Sequence, residues 1–152
     1  GWVGQLGYES DTAFFSNVYT ASENETLQAV GFYATDKNTS YDIYVVENFC
    51  DVSSFEQMKY IQSGEFKNAG YYTVNLKHEI DMEAGKKYAV VIKIKTPDAV
   101  HPIAIEYAAG KATQNVILDD GEGYISYTGN SWEHVEESKG CNICLKMYTK
   151  NM

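Results

Sequence analysis

The stretch 27-LQAVGFYATDKNTSYDIYVVEN-48 decides the fold. Leu27 to Ala34 is dense in β-branched and aromatic residues, the composition that suits a pleated, half-buried surface. Asp36-Lys37-Asn38-Thr39-Ser40 supplies turn chemistry, because Asp, Asn and Ser side chains bond nearby backbone and tolerate tight dihedrals. Tyr41 to Val46 then sets Tyr41, Ile43 and Val45 against Asp42, Tyr44 and Val46. That period of two marks a strand with one buried face and one wetter face. The connection is longer than a two-residue hairpin turn, so the two strands either pair directly or sit in opposing sheets.

The same pattern recurs outward from this pair. Gly1 to Gly7 reads as a lead-in, and Thr12 to Thr20 (TAFFSNVYT) as the first strand. Phe49 to Glu56 holds the one helical candidate, a short turn capped by Ser53 or Ser54. Met58 to Phe66 is a strand broken at Ser63-Gly64, and Tyr71 to Leu76 alternates after the Asn68-Ala69-Gly70 turn. A second turn at Met82 to Lys86 leads into Lys87 to Lys95 (KYAVVIKIK), the strongest strand in the chain. Its Tyr88, Val90, Ile92 and Ile94 share one face, and Val91 makes the centre apolar on both faces, which predicts a central position. Thr96-Pro97-Asp98 ends it, since proline cannot donate to a ladder. His101 to Tyr107, the Tyr124–Tyr127 and Trp132–Val135 hairpin, and Asn142 to Thr149 complete nine or ten short strands. Almost nothing helical lies between them. The expected architecture is all-β, a two-sheet antiparallel β-sandwich of jelly-roll or carbohydrate-binding-module type, as a single domain over 1–152. A chain of 152 residues buries roughly 68–70% of its unfolded surface and needs no disulfide framework.

Charge and composition exclude several functions. The formal net charge is −9, and the basic residues are twelve lysines with no arginine. No cationic cluster is present to neutralise phosphates, so no nucleic-acid partner is expected. No apolar run approaches the roughly 18 residues of a membrane span, so no membrane insertion is expected. Cys50, Cys141 and Cys144 are odd in number and cannot all pair internally. Cys141 and Cys144 have CxxC spacing without a second CxxC, and on one strand they would point to opposite faces. The chain starts with Gly and carries no signal peptide, which suggests a domain excised from a longer secreted protein.

Catalytic motifs are missing. His78, His101 and His134 each lie beside a strand or turn and read as surface residues. No GxSxG elbow, HExxH pair, phosphate loop or GxGxxG occurs. Asn130-Ser131-Trp132 matches the Asn-Ser-Trp around the orienting Asn of papain-like peptidases, but Cys50 is followed by Asp51 and the other cysteines follow Trp132. The triad cannot form in the expected order, and Asn130-Ser131 reads as a turn. Ser126 to Trp132 also resembles the Asp-box hairpin of bacterial sugar-active proteins, lacking its Asp and with its Gly displaced by one. There the Trp would pack beneath the turn. Asp119, Asp120 and Glu122 with Gly121 form an acidic loop whose oxygens suit a structural Ca²⁺, and Glu9 with Asp11 forms a second acidic pair. Sugar binding would use exposed aromatics with polar partners, for which Tyr71, Tyr72, Tyr124, Tyr127 and Trp132 are candidates. Trp132, Tyr127 and Tyr124 form the stacking set. Tyr71 and Tyr72 must face opposite sides of a strand.

NVYTASENETLQAVGFYATDKNTSYDIYVVENF, the SGEF and AGYYTV strings, LKHEIDMEAGKKYAVVIKI and the closing GYISYTGNSW and NICLKMYT together resemble the lectin-like domain of bacterial cell-surface, papain-like cysteine peptidases. The resemblance runs from Trp2 to Thr149. It implies a non-catalytic β-sandwich accessory module outside the bacterial cell, in the same chain as a peptidase domain, bound in some relatives to calcium. Glycan or cell-wall polysaccharide is the ligand class it points to. A purely structural spacer between domains is the alternative, and an independent catalytic domain a third reading.

Overall fold

In the computed structural model, residues 4–107, 123–135 and 141–152 are described. Twelve strands result: β1 (Gly4–Leu6), β2 (Thr12–Thr20), β3 (Glu25–Ala34), β4 (Thr39–Glu47), β5 (Lys59–Phe66), β6 (Gly70–Met82), β7 (Lys87–Lys95), β8 (Ile103–Tyr107), β9 (Gly123–Ser126), β10 (Glu133–His134), β11 (Cys141–Ile143) and β12 (Leu145–Asn151). One layer is a six-stranded sheet in the order β10-β9-β2-β7-β4-β5. Opposite it lie two three-stranded sheets, β12-β3-β6 and β1-β8-β11. Every pairing is antiparallel. The all-β sandwich expected from the alternation is the fold observed.

The opening pair falls in opposing sheets. β3 is the centre of the small sheet and β4 belongs to the large one, so residues 35–38 carry the chain across the sandwich. Asn38 takes a left-handed conformation (φ 57°), and the Asp36 carboxylate accepts from the Lys37 amide at 2.8 Å. The inward faces then meet. Val30, Phe32 and Ala34 of β3 and Ile43 and Val45 of β4 are essentially fully buried, with Val90, Ile92 and Ile94 of β7 in the same core. Phe32 sits at its middle, edge-on to Tyr41 at 5.3 Å and to Phe15 at 6.1 Å. Burying each such aromatic stabilises the fold by about 1.5–3 kcal/mol relative to exposure. β7 lies between β2 and β4, the central position that Val91 predicted.

Several boundaries differ from the sequence expectation, each for a local reason. The lead-in contains β1, paired with β8. The short helix spans Val52–Gln57 as 3-10 and is capped by Asp51, not by a serine. Asp51 accepts from the Ser53 amide at 2.9 Å, while the Ser54 hydroxyl reaches back to the Asp51 amide at 3.3 Å. The Ser53 hydroxyl, which also donates to the Asp51 carboxylate, and the Ser53 amide hold that carboxyl below its usual range. β5 runs unbroken through Gly64, where a Cβ would press on the Tyr41 ring. β6 continues to Met82 because the register slips between Ala29↔Asn75 and Leu27↔Ile80. Gln62 spans that slip, donating to the Asn75 carbonyl at 3.1 Å and accepting from the Lys77 amide at 2.9 Å. The last predicted strand is two strands in different sheets, parted at Cys144. The Asn17 side chain bridges that switch by donating to the carbonyls of Ile143 (3.2 Å) and Leu145 (2.8 Å). Cys141 and Cys144 are both buried, and Cys50 is exposed.

Candidate functional site

Two aromatic groups lie outside the central core, one on the outer face of each main sheet. The first contains the predicted hairpin residues. β2 turns Phe14 and Val18 outward, β7 turns Ala89 and Val91 outward, and these make a second apolar floor. The segment after β4 folds over it, bringing Phe49 and Phe55 down onto the sheet. Tyr124 is buried there, 5.3 Å from Phe55 and 5.8 Å from Phe49, and its ring stacks on His134 at 4.8 Å. Trp132 is half-buried, stacked on Phe55 with centroids 4.0 Å apart and edge-on to Phe14 at 6.1 Å. Its indole N–H donates to the Gly129 carbonyl at 3.2 Å, so the ring packs beneath its own turn. Gly129 is required twice over: its φ is +83°, and a Cβ would sit 3.0 Å from the Phe14 ring.

Tyr127 alone of the three predicted rings stands outside, 54% exposed, with Tyr8 beside it at 5.7 Å. Burial, together with the nearby Glu133 carboxylate that accepts its hydroxyl hydrogen bond, pushes Tyr8 up to about 12. The hairpin therefore separates the predicted stacking set: Tyr124 and Trp132 join a cluster and Tyr127 stays at the surface. Asn130 and Ser131 are exposed turn residues. Asp119, Asp120 and Glu122, the predicted calcium ligands, lie outside the described residues. Glu9 pairs with His101 at 3.4 Å and Asp11 accepts from the Thr12 hydroxyl at 2.8 Å. Among the described residues no three His, Cys, Asp or Glu side chains converge as a metal site, and no helix is long and apolar enough to cross a membrane.

The second group is on the outer face of β12-β3-β6. Tyr148, Ala29 and Asn75 are aligned across its three strands, as are Lys146, Gly31 and Thr73, and Tyr33 pairs with Tyr71. Tyr71 and Tyr148 are each 38% exposed, and their hydroxyls share a hydrogen bond of 2.6 Å. Tyr33 meets Tyr71 edge to face at 5.0 Å. Tyr71 lies down across Gly31, where a Cβ would collide with its hydroxyl and come within 2.6 Å of its ring. Burial and the Tyr148 hydroxyl hold the Tyr71 phenol well above its usual range. Tyr72, as alternation required, points the other way and stacks on Phe66 at 3.8 Å inside the sandwich. Sequence reasoning named Tyr71 but missed Tyr33 and Tyr148. Alternation places each on an outward face, yet nothing local says that β12 will lie beside β3.

A third feature is a cleft of ≈ 240 Å³ at one end of the sandwich, with Glu47, Asp81, Glu83 and Lys86 on its walls. Lys86 pairs with Glu83 at 3.2 Å.

The family described as "Lectin like domain" matches residues 1–149. The chain belongs to that lectin-like domain family. Two solved structures share the fold. One holds the cysteine protease and lectin-like domains of Cwp84, a surface layer associated protein of Clostridium difficile, at 24% identity and a TM-score of 0.74, covering 94% of this chain and 33% of that one. The other is a variant of the clostridial cysteine protease Cwp84 after propeptide cleavage, at 22% identity and a TM-score of 0.71, covering 94% and 37%. At these identities the likeness is one of fold, and this lectin-like domain spans about a third of the length of those structures. No curated protein matches the sequence.

Proposed function

We propose that this lectin-like domain is a non-catalytic accessory module of a secreted cell-surface cysteine peptidase, and that it contributes carbohydrate binding. The observation that carries the reading is the match over residues 1–149 to a lectin-like family whose fold recurs beside a cysteine protease in Cwp84. The geometry supports it by offering aromatic rings at two surfaces. Contact with a sugar would be shallow: ring faces against C–H groups, with hydroxyl, amide and ammonium groups at the edges. Of the hairpin residues Trp132, Tyr127 and Tyr124, the exposed Tyr127 is the one assigned to direct contact, and the other two support its turn. Co-sedimentation of the purified chain with bacterial cell-wall preparations tests the reading. Retention competed off by free wall oligosaccharide is the expected result. Peptide hydrolysis by the chain itself, or no retention at all, would sink it.

The calcium assignment is a proposal of the same standing. Asp119, Asp120 and Glu122 would supply carboxylate oxygens to a structural Ca²⁺ that fastens their loop. The thermal midpoint should rise when Ca²⁺ is added to chelator-treated protein, and Asp119→Asn with Asp120→Asn should remove the rise. An unchanged midpoint overturns the assignment. The packing of Trp132 and Tyr124 favours the second reading, a structural spacer, for the hairpin end of the domain.

A further inference from the structure

The outer face of β12-β3-β6 divides into two halves of different chemistry. In one half a polar network ties the three strands together. Lys150 pairs with Glu79 at 3.5 Å, Gln28 donates to Glu79 at 3.3 Å, and Thr26 donates to Asp81 at 3.2 Å. The other half is the tyrosine surface around Gly31. There Lys146 stands exposed on the same strand face as Tyr148, with no acidic partner among the described residues. Thr73 and Asn75 are exposed along the opposite edge. The Lys146 ammonium thus lies beside the tyrosine rings, in a chain of net charge −9.

Besides Tyr33, the central strand contributes Gly31 and Ala29 to this surface, and both are small. Side chains of ordinary length there would lift the flanking rings away from the sheet. Instead Tyr71 lies flat over Gly31, and its hydroxyl is fixed by the Tyr148 hydroxyl. Ring and hydroxyl positions are thus set before any ligand arrives, which lowers the ordering cost of binding. The result is a shallow aromatic floor, a row of hydroxyl and amide groups, and the exposed Lys146 ammonium at its margin.

We propose that this face, built from Tyr33, Tyr71, Tyr148, Lys146, Thr73 and Asn75, binds an acidic glycan. The sugar ring lies against the tyrosines, and its carboxylate or phosphate substituent meets the Lys146 ammonium. The inference rests on the carbohydrate-binding reading above and names the site and ligand class for it. Charge complementarity selects an acidic polymer over a neutral one, because Lys146 has no acidic partner among the described residues.

The test is an array of neutral and acidic oligosaccharides probed with the 152-residue chain, followed by ¹⁵N chemical-shift mapping with the best-retained glycan. Acidic glycans should dominate the signal, and the largest amide shifts should fall at Gly31, Thr73 and Lys146. Lys146→Ala and Tyr148→Ala should each weaken binding about tenfold or more. Tyr60→Ala, at an exposed ring on the edge strand β5 of the opposite sheet, should leave it unchanged, and raising the salt concentration should weaken it. Tyr148→Phe keeps the ring and isolates the hydroxyl, with a losing margin smaller than that of Tyr148→Ala. Retention of neutral glycans alone, or binding abolished by Tyr127→Ala and untouched by Lys146→Ala and Tyr148→Ala, overturns this site while carbohydrate binding by the domain stands. No retention of any glycan overturns both.

Discussion

On the six-stranded sheet, Phe14, Phe49, Phe55, Tyr124 and Trp132 close over Ala89 and Val91. On the three-stranded sheet, Tyr33, Tyr71 and Tyr148 stand at the surface with nothing but small residues beneath them. Both sets are aromatic, and their exposure differs with what covers them. The chain after β4 has an anchored 3-10 helix that drives Phe55 into the sheet, so rings there exchange water for hydrocarbon. On the other face Tyr71 and Tyr148 stay partly exposed, and their hydroxyls bond to each other. Aromatic content therefore says little about binding until cover is known. The covered face should govern stability and the open face should govern recognition.

That contrast is broken or sharpened by four measurements. Phe55 is 2% exposed and touches both Trp132 and Tyr124, so Phe55→Ala should cost about 3–5 kcal/mol in urea denaturation. A loss below about 1 kcal/mol would mean that the cover is not a true core. A double-mutant cycle of Phe55→Ala with Trp132→Ala comes next. The stacked pair should show a coupling of about 0.5–1.5 kcal/mol, and additive losses would show that the rings do not depend on each other.

Glu25 tests the seam between the faces. Its buried carboxylate accepts from Tyr19 of β2 at 3.1 Å, Thr149 of β12 at 2.8 Å and the Ser22 amide at 3.1 Å. Burial alone would raise its pKa, but these hydrogen bonds outweigh it and hold the group below 4.5. Glu25→Gln should cost about 1–3 kcal/mol, because an amide nitrogen cannot accept what one carboxylate oxygen does. The folded pKa is depressed, so this stabilisation is complete above the unfolded value of 4.5 and is lost as pH falls through the folded pKa. The gap between wild type and Glu25→Gln should be flat above that pH and shrink below it. A gap that widens in acid contradicts the assignment. Smallest of all, Tyr148→Ala should cost about 1 kcal/mol or less, since its ring is partly solvated and its bond is to another exposed hydroxyl. A loss as large as that of Phe55→Ala would erase the distinction between the faces.

Much of the fold was legible because side-chain alternation is a local property. Lys87–Lys95 appears with the boundaries its pattern predicts, and Val91, apolar on the wetter face, marked both its central place and the second core. Legibility failed where the ladder is irregular. Lys77-His78-Glu79 looks like the end of a strand, yet β6 passes through it with its register slipped and its backbone satisfied by Gln62. Cys144 looks continuous with its neighbours, yet the chain changes sheets there. The candidate surfaces were harder still. Tyr124, Tyr127 and Trp132 lie close together in sequence, and only the landing place of Phe49 and Phe55, many residues earlier, decides which of them meets water.

The Asn17 bridge and the strand it anchors also bear on how the domain comes into being. β12 pairs with β3 from Leu145↔Phe32 to Asn151↔Glu25, a contact between distant parts of the chain. Before Leu145 to Asn151 are synthesised, β3 and β6 form only a two-stranded ribbon, which is marginal in water. Pairings this remote in sequence also form slowly, because a long loop must close before they return any stabilisation. Maturation thus waits on the final strand, and its arrival completes the small sheet and the surface it carries in a single step.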